Sequence, residues 1–143
     1  MLTSQTINNI YNTKQNDINY GLQKEIIVLD ELKKYYPSVK KTTYQYCIYD
    51  FESNSSIFEL KSRRILKDTF PDVLINTTKI ECLLHHDKKG YVLFHFYDGL
   101  YKFRVTDKSL KECRFSRGGR TDRGCDERND CCYIPTRLLK KIL

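Results

Sequence analysis

A chain of 143 residues, 40% of them hydrophobic, is long enough to bury a core, and residues 1–143 are expected to form a single domain. It has no apolar run of about 18 residues and begins with a polar segment, which argues against a membrane span and a secretion signal. We therefore expect an intracellular protein, in the cytoplasm or nucleus of a host cell. The net charge of +7 and the pI of about 9.1 favour a polyanionic partner, most often nucleic acid, although a merely basic protein would share them.

The six cysteines do not form a recognisable metal-binding pattern. Two lie in apolar surroundings that are typical of small buried side chains, Cys47 and Cys82. The other four are Cys113, Cys125, Cys131 and Cys132. No C-x-x-C pair occurs among them, so a structural zinc site has little support, and disulfides are not expected in a reducing compartment.

The first predicted element is a helix that begins near Ile18 and ends before Pro37. Apolar residues recur in it at spacings of three and four and predict a buried stripe: Leu22, Ile26, Leu29 and Leu32. Glu25 adjoins this stripe. An acid at the edge of a buried face suggests a functional group, and the alternative is an exposed glutamate paired with a neighbouring lysine.

A β-hairpin is predicted next, with a polar turn at residues 53–56. With this loop Glu52 faces an apolar residue and is left out of the site, whereas Asp50 faces Glu59, so that two carboxylates lie side by side. Lys61, two residues after Glu59, points to the same face. Because opposed like charges repel, a divalent cation is the simplest compensation, and the hairpin suggests a metal-dependent phosphodiesterase site.

Basic residues follow the hairpin directly. Arg63 and Arg64 are predicted to hold phosphates, with a solvated strand end as the alternative. After a loop at residues 67–71, a second helix is predicted from about Thr77 to His86. Lys79 adjoins the buried face of this helix and could reach the site.

Two further strands are predicted at residues 91–97 and 100–106, joined by the type I′ turn signal Asp98-Gly99. The chain should close with a short strand at residues 131–134 and a helix that begins at Pro135.

Between them, residues 108–130 are rich in Arg and Gly and are predicted to form a mobile loop. Arg117, Arg120 and Arg123 would allow it to close on a phosphate backbone. A solvated insertion without a function is the alternative.

Together, the order of elements and the hairpin residues resemble the PD-(D/E)XK nuclease superfamily. The match is Asp50, eight intervening residues and the E-x-K element Glu59-Leu60-Lys61, with Glu25 of Gly21-x-x-x-Glu25 as the acid on the preceding helix. Tyr49 stands where the family often has Pro. The resemblance implies an α/β, restriction-endonuclease-like core with a mixed central sheet flanked by helices in the order αβββαβ.

The resemblance also implies a chemistry. Asp50, Glu59 and the carbonyl of Leu60 would bind Mg²⁺ or Mn²⁺, which prefer oxygen ligands. Glu25 would hold a second metal or a metal-bound water, and Lys61 would orient or deprotonate the attacking water or neutralise developing charge. The implied protein is a viral or phage DNA endonuclease without a membrane partner.

Several readings stay open. Small members of the superfamily include restriction-type, Holliday-junction-resolving and viral or phage repair nucleases, and junction resolvases act as dimers, so a homodimer is compatible. An RNA endonuclease ranks lower because viral cap-snatching enzymes usually carry a His where this helix has Glu25. A non-catalytic nucleic-acid-binding module of the same fold, or an interaction protein whose acids and lysine form a surface salt-bridge cluster, are the alternatives from other classes.

Overall fold

The computed structural model describes residues 3–42, 49–118 and 129–142, apart from the side chains of residues 6–13 and 129. The helices in these ranges are α1 (Ser4–Leu32), α2 (Thr77–His85), α3 (Asp107–Leu110) and a short 3₁₀ helix (Thr136–Leu138). The strands are β1 (Lys40–Lys41), β2 (Phe51–Glu52), β3 (Ser56–Ser62), β4 (Asp72–Asn76), β5 (Lys89–Phe96), β6 (Gly99–Arg104), β7 (Arg114–Gly118), β8 (Asn129–Pro135) and β9 (Lys140–Lys141).

Of these strands, six form a mixed central sheet in the order β1-β2-β3-β5-β6-β9. β3 and β5 run parallel, and the other neighbours in the sheet are antiparallel. A parallel pair requires a crossover connection, which β4 and α2 supply. The strands β4, β8 and β7 form a separate antiparallel sheet. The predicted α/β architecture with a mixed central sheet is therefore confirmed.

One face of the central sheet is covered by α1. Successive side chains of a strand point to opposite faces, and on this face Phe58 and Leu60 of β3 pack with Val28 and Leu32 of α1. Burying these four side chains holds the C-terminal half of α1 against the sheet.

The opposite face is covered by α2 and the second sheet. Ile57 of β3 packs there in a cluster with Ile80 and Leu83 of α2. Alternation places Glu59 and Lys61 on this same face. The strand pattern thus sends an acid and a lysine into the layer between the central sheet and α2.

Helix α1 differs from its predicted form. It begins at Ser4 instead of near Ile18. Leu22 and Ile26 were expected to be buried, but they are 47% and 66% exposed, whereas Val28 and Leu32 are fully buried. The stripe prediction is wrong for its first two members because only the last turns of the helix contact the sheet. In the described part of the chain, no helix has both the length and the apolar character needed to cross a membrane.

Strand β4 interrupts the predicted order αβββαβ, because it lies between β3 and α2. Its register with β8 pairs residues about sixty positions apart, such as Ile75 with Cys132, which a local pattern does not reveal. Helix α2 begins at Thr77, close to the predicted start, but the expectation that Thr77 is its N-cap is wrong. The N-cap is Asn76, whose side chain accepts a hydrogen bond from the Thr78 N–H at 2.8 Å.

The C-terminal segment also differs. The predicted closing helix is wrong: after the 3₁₀ turn the chain extends into β9, which pairs with β6 at the edge of the central sheet. In the segment expected to be a loop, α3 and β7 precede residue 119, and β8 begins at Asn129. Residues 119–128, with Arg120, Arg123 and Cys125, lie outside the described residues, as does Cys47.

Candidate active site

The hairpin has the predicted register. Phe51 pairs with Phe58 and Glu52 pairs with Ile57. The N–H of Ser53 donates to the Ser56 carbonyl at 2.8 Å and closes the turn. Oε1 of Glu52, the acid left out of the predicted site, lies 3.2 Å from Nζ of Lys88.

Asp50 lies just beyond the regular pairing of β2 with β3. Its N–H donates to the Phe58 carbonyl at 2.8 Å, and its Oδ2 accepts a hydrogen bond from the N–H of Leu60 at 2.8 Å. These two bonds attach Asp50 to the residues on either side of Glu59. The sequence prediction that Asp50 and Glu59 are neighbours is therefore met by main-chain and side-chain bonds together.

Glu59 is a buried acid whose two oxygens differ. Its side chain is 4% exposed, and Oε1 lies 3.1 Å from Nζ of Lys61 and 3.4 Å from Nζ of Lys79. Its Oε2 is buried and has no hydrogen-bond partner among the described residues. A buried carboxylate oxygen without a partner is costly, so this atom is a candidate ligand for a cation.

The charges around Asp50 oppose one another. Burial raises the pKa of Asp50, and the negative charge of Glu59 raises it further. The Leu60 N–H and the two lysines, Lys79 and Lys61, act in the opposite direction, and the balance leaves the pKa at about 6. Two buried carboxylates that repel each other form a site that a bound cation would stabilise.

The structure brings Lys79 to the site, as its position on α2 suggested. It lies in the first turn of α2, after the Asn76 cap, and shares Glu59 Oε1 with Lys61. Both lysines are partly exposed and can therefore meet a ligand from solvent.

Glu25 is placed differently from these residues. Its Oε2 lies 2.7 Å from Nζ of Lys41 on β1, and it is absent from the charges that shift the pKa of Asp50. The described contacts therefore do not join Glu25 to Glu59. The alternative of an exposed glutamate paired with a lysine is met only in the pairing, because the side chain of Glu25 is 18% exposed and its Oε2 is buried. Only the tertiary structure identifies Lys41 as the paired lysine.

Arg63 lies between the two sheets. Its Nη2 donates to the Leu74 carbonyl of β4 at 3.1 Å. This contact connects the end of β3 to the second sheet.

Arg64 is held by α1. Its guanidinium lies 3.9 Å from the ring centroid of Tyr20, Nη1 lies 3.6 Å from Asp17, and Nη2 donates to the Asn16 carbonyl at 3.4 Å. These contacts favour a role in fixing α1. Arg117 lies exposed on β7, where it pairs in register with Asp130.

The donor set at the hairpin fits a hard divalent cation. Within the described ranges, no three His, Cys, Asp or Glu side chains lie close enough to hold a metal ion. The protein would thus supply two carboxylates, Asp50 and Glu59. Because the N–H and C=O of a strand residue point to the same side, the carbonyl of Leu60 also faces Asp50 and could serve as a third ligand.

The cysteines of the described ranges belong to no group of three side chains that could hold a metal ion. Cys82, Cys113, Cys131 and Cys132 form no disulfide, and Sγ of Cys113 donates a hydrogen bond to the Ser109 carbonyl at 3.6 Å. Cys82 is half-buried.

Comparison with known protein families agrees with this geometry. The model of a family described as "Phage putative PDDEXK endonuclease" matches residues 11–142, which includes the hairpin, both lysines and α2. Searches among curated proteins and among solved structures found no match. The match spans nearly the whole chain, and the chain therefore belongs to this family of phage PD-(D/E)XK endonucleases.

Proposed function

We propose that the protein is a metal-dependent endonuclease that hydrolyses phosphodiester bonds in DNA at the hairpin site. The observation that carries the proposal is the pair of acids Asp50 and Glu59, of which Glu59 offers a buried oxygen without a hydrogen-bond partner among the described residues. Membership of a nuclease family and the net charge of +7 support a nucleic-acid substrate.

Asp50, Glu59 and the Leu60 carbonyl would hold Mg²⁺ or Mn²⁺. When bound, the metal would stabilise negative charge on the phosphate and lower the pKa of a water. The protein prepares this arrangement through the Leu60 N–H, which fixes the Asp50 carboxylate at 2.8 Å, and through the lysines that hold Glu59 Oε1.

The two lysines provide charge balance. Asp50 and Glu59 carry two negative charges when ionised, and Lys61 and Lys79 carry two positive charges. A divalent cation then makes the site positive, which suits an anionic phosphodiester. Lys61, as the lysine of the E-x-K element, would orient the attacking water as an ammonium or, in its neutral form, accept the proton of that water. Lys79 would hold Glu59 and neutralise the phosphate.

Glu25 has no direct metal-binding role in this proposal while it is paired with Lys41. It would contribute only after exchange of its 2.7 Å ion pair with Lys41. Phosphate contacts beyond the site are proposed for Arg117, Arg120 and Arg123, and for Arg63 and Arg64 once these two release their main-chain and α1 contacts. A homodimer belongs to the same proposal, since α1 exposes Ile18, Leu22 and Ile26 along one face. Sedimentation equilibrium would measure it.

A cleavage assay tests the proposal directly. Purified protein is incubated with single-stranded, duplex, flap and four-way-junction DNA and with RNA, each with Mg²⁺, with Mn²⁺ or with EDTA. We expect metal-dependent internal cleavage of at least one DNA substrate, with EDTA abolishing it and Glu59→Gln protein inactive. Cleavage of RNA alone would overturn the choice of DNA. Equal activity in EDTA, or in Glu59→Gln, would overturn the site.

A further inference from the structure

A second feature of the surface lies at the β6–β9 edge of the central sheet. A cavity of about 260 Å³ opens there, lined among others by Tyr91, Phe103 and Leu138 and by three cationic side chains. The cations are Lys102, Arg104 and Lys140. Small-molecule pockets begin at about 300 Å³, so this cavity suits a phosphate group with part of a nucleotide.

The three cations converge because of strand geometry. Lys102 and Arg104 are two residues apart on β6 and share one face, and Lys140 of β9 pairs directly with Lys102. Like charges directly opposed across a sheet are destabilising. An anion at this position would remove that repulsion.

The positive charge of the cavity is uncompensated in the described part of the chain. No carboxylate lines the cavity. None of Lys102, Arg104 and Lys140 takes part in the ion pairs between described residues. Nη1 of Arg104 is buried and has no hydrogen-bond partner there. A buried guanidinium nitrogen without an acceptor is rare enough to indicate a ligand that supplies one.

Tyr91 positions two of the cations without neutralising them. Its ring stacks on Phe58 with centroids 5.4 Å apart. Arg104 and Lys102 lie over this ring, 5.4 Å and 5.7 Å from its centroid. The cavity therefore has a rigid aromatic wall that holds its charged groups in place.

The cavity is separate from the hairpin site. Tyr91 is in register with Phe58 on β3, and Phe58 faces α1, whereas Glu59 faces α2. A group bound beside Tyr91 and Arg104 therefore lies on the other side of the sheet from the acids.

We propose that Lys102, Arg104 and Lys140 form a binding site for the phosphate of a nucleotide or polynucleotide, independent of the divalent metal and of cleavage. The guanidinium of Arg104 would bind two phosphate oxygens, and the lysines would act as point charges. The phosphate can belong to a polynucleotide backbone, to a strand end or to a mononucleotide, and the test separates these sources.

Binding is measured by calorimetry with the full chain in EDTA and phosphate-free buffer, so that no cleavage can occur. The ligands are pyrophosphate, dAMP, and one DNA oligonucleotide with a 5′-phosphate or a 5′-hydroxyl. The variants are Lys102→Gln/Arg104→Gln/Lys140→Gln, the milder Arg104→Lys and the control Lys40→Gln, which removes one charge at the opposite sheet edge. Circular dichroism establishes that each variant is folded.

We expect the triple variant to weaken phosphate binding at least tenfold. The slope of the logarithm of DNA affinity against the logarithm of salt concentration should fall by up to about three, roughly one for each lost phosphate contact. Arg104→Lys should lose part of the affinity and Lys40→Gln none of the pyrophosphate affinity. Equal binding of both oligonucleotides identifies a backbone phosphate, preference for the 5′-phosphate a strand end, and binding of dAMP alone a nucleotide. Absence of binding to every ligand, or binding that the triple variant and Arg104→Lys leave unchanged, would overturn the site, whatever the cleavage assay shows.

Discussion

The main-chain N–H of Leu60 donates a 2.8 Å hydrogen bond to Oδ2 of Asp50. The middle residue of the E-x-K element thus acts through its backbone, and it orients the acid that precedes it by ten positions. This bond stabilises the ionised form of Asp50, against the burial and the Glu59 charge that disfavour it.

The two acids should be required for cleavage and metal binding. We expect Asp50→Asn and Glu59→Gln each to lower the cleavage rate at least about a hundredfold, because metal stabilisation is worth several kcal/mol. Glu52→Gln is the matched control, since Glu52 lies on the same hairpin but is paired with Lys88. Single-turnover cleavage and Mn²⁺ titration provide the measurements. Full activity in Asp50→Asn or Glu59→Gln would remove that residue from the site.

Asp50→Asn should also stabilise the metal-free protein. The pKa of Asp50 is raised in the fold, so the folded state binds a proton more tightly than the unfolded state, and wild-type stability falls as pH rises towards and through about 6. The amide avoids this cost and should add about 1–3 kcal/mol above that pH, with little gain near pH 4. Urea unfolding in EDTA at both pH values measures the difference.

Ionisation of Asp50 lowers the stability of the metal-free protein, but it should raise the cleavage rate. Protonated Asp50 cannot ligate a cation, so at Mg²⁺ concentrations too low to saturate the site, wild-type cleavage should fall as pH drops through about 6, the pKa of Asp50 in the metal-free protein. Saturating Mg²⁺ should reverse the order of stability, because it binds the folded wild type but not Asp50→Asn. If the difference in stability between wild type and Asp50→Asn in EDTA is the same at both pH values, Asp50 is not the titrating group.

The two lysines should separate chemistry from metal affinity. Lys61→Met is expected to slow cleavage by about 10²–10⁴-fold, the range of general acid–base catalysis, and Lys79→Met to slow it less. Both variants remove a positive charge next to Glu59, so Mn²⁺ should bind several-fold more tightly. Lys88→Met, which removes a cation from Glu52, is the control. Weaker Mn²⁺ binding in both variants would contradict the charge balance proposed for the site.

Arg64 should act mainly on stability. Removing its contact with Tyr20 in Arg64→Ala is expected to cost about 1 kcal/mol, and Tyr20→Leu should cost a similar amount. The double variant should cost less than the sum because the residues share one interaction. Chemical denaturation measures this cycle. If Arg64 instead binds phosphate, Arg64→Ala would lower DNA affinity and the salt dependence of that affinity while leaving stability unchanged.

Gly90 should be needed for the placement of α2. A Cβ at this position of β5 would overlap the Leu83 carbonyl of α2, so Gly90→Ala should destabilise the protein by about 1–3 kcal/mol and displace the helix that carries Lys79. Gly21→Ala is the control, because a Cβ there meets nothing within 4 Å and alanine favours a helix by about 1 kcal/mol. Thermal unfolding and cleavage rates compare them, and equal stability of the two variants would contradict this close packing.

Local patterns were sufficient for the hairpin. The turn at residues 53–56 and strict alternation define the register of Phe51 with Phe58, and hence which acids are neighbours, without any long-range contact. The start of α2 was predictable to within one residue, because capping depends on residues one or two positions apart, although the cap is Asn76 and not Thr77.

The partners of these residues depend on contacts that are distant in sequence. Lys79 meets Glu59 because α2 packs on the face of β3 opposite α1, and Glu25 meets Lys41 because α1 crosses towards the edge strand β1. Strand β4 and edge strand β9 form only by pairing with β8 and β6. Periodicity reports which side of an element is apolar, but burial depends on what covers that side, as the exposed Leu22 and Ile26 of α1 illustrate.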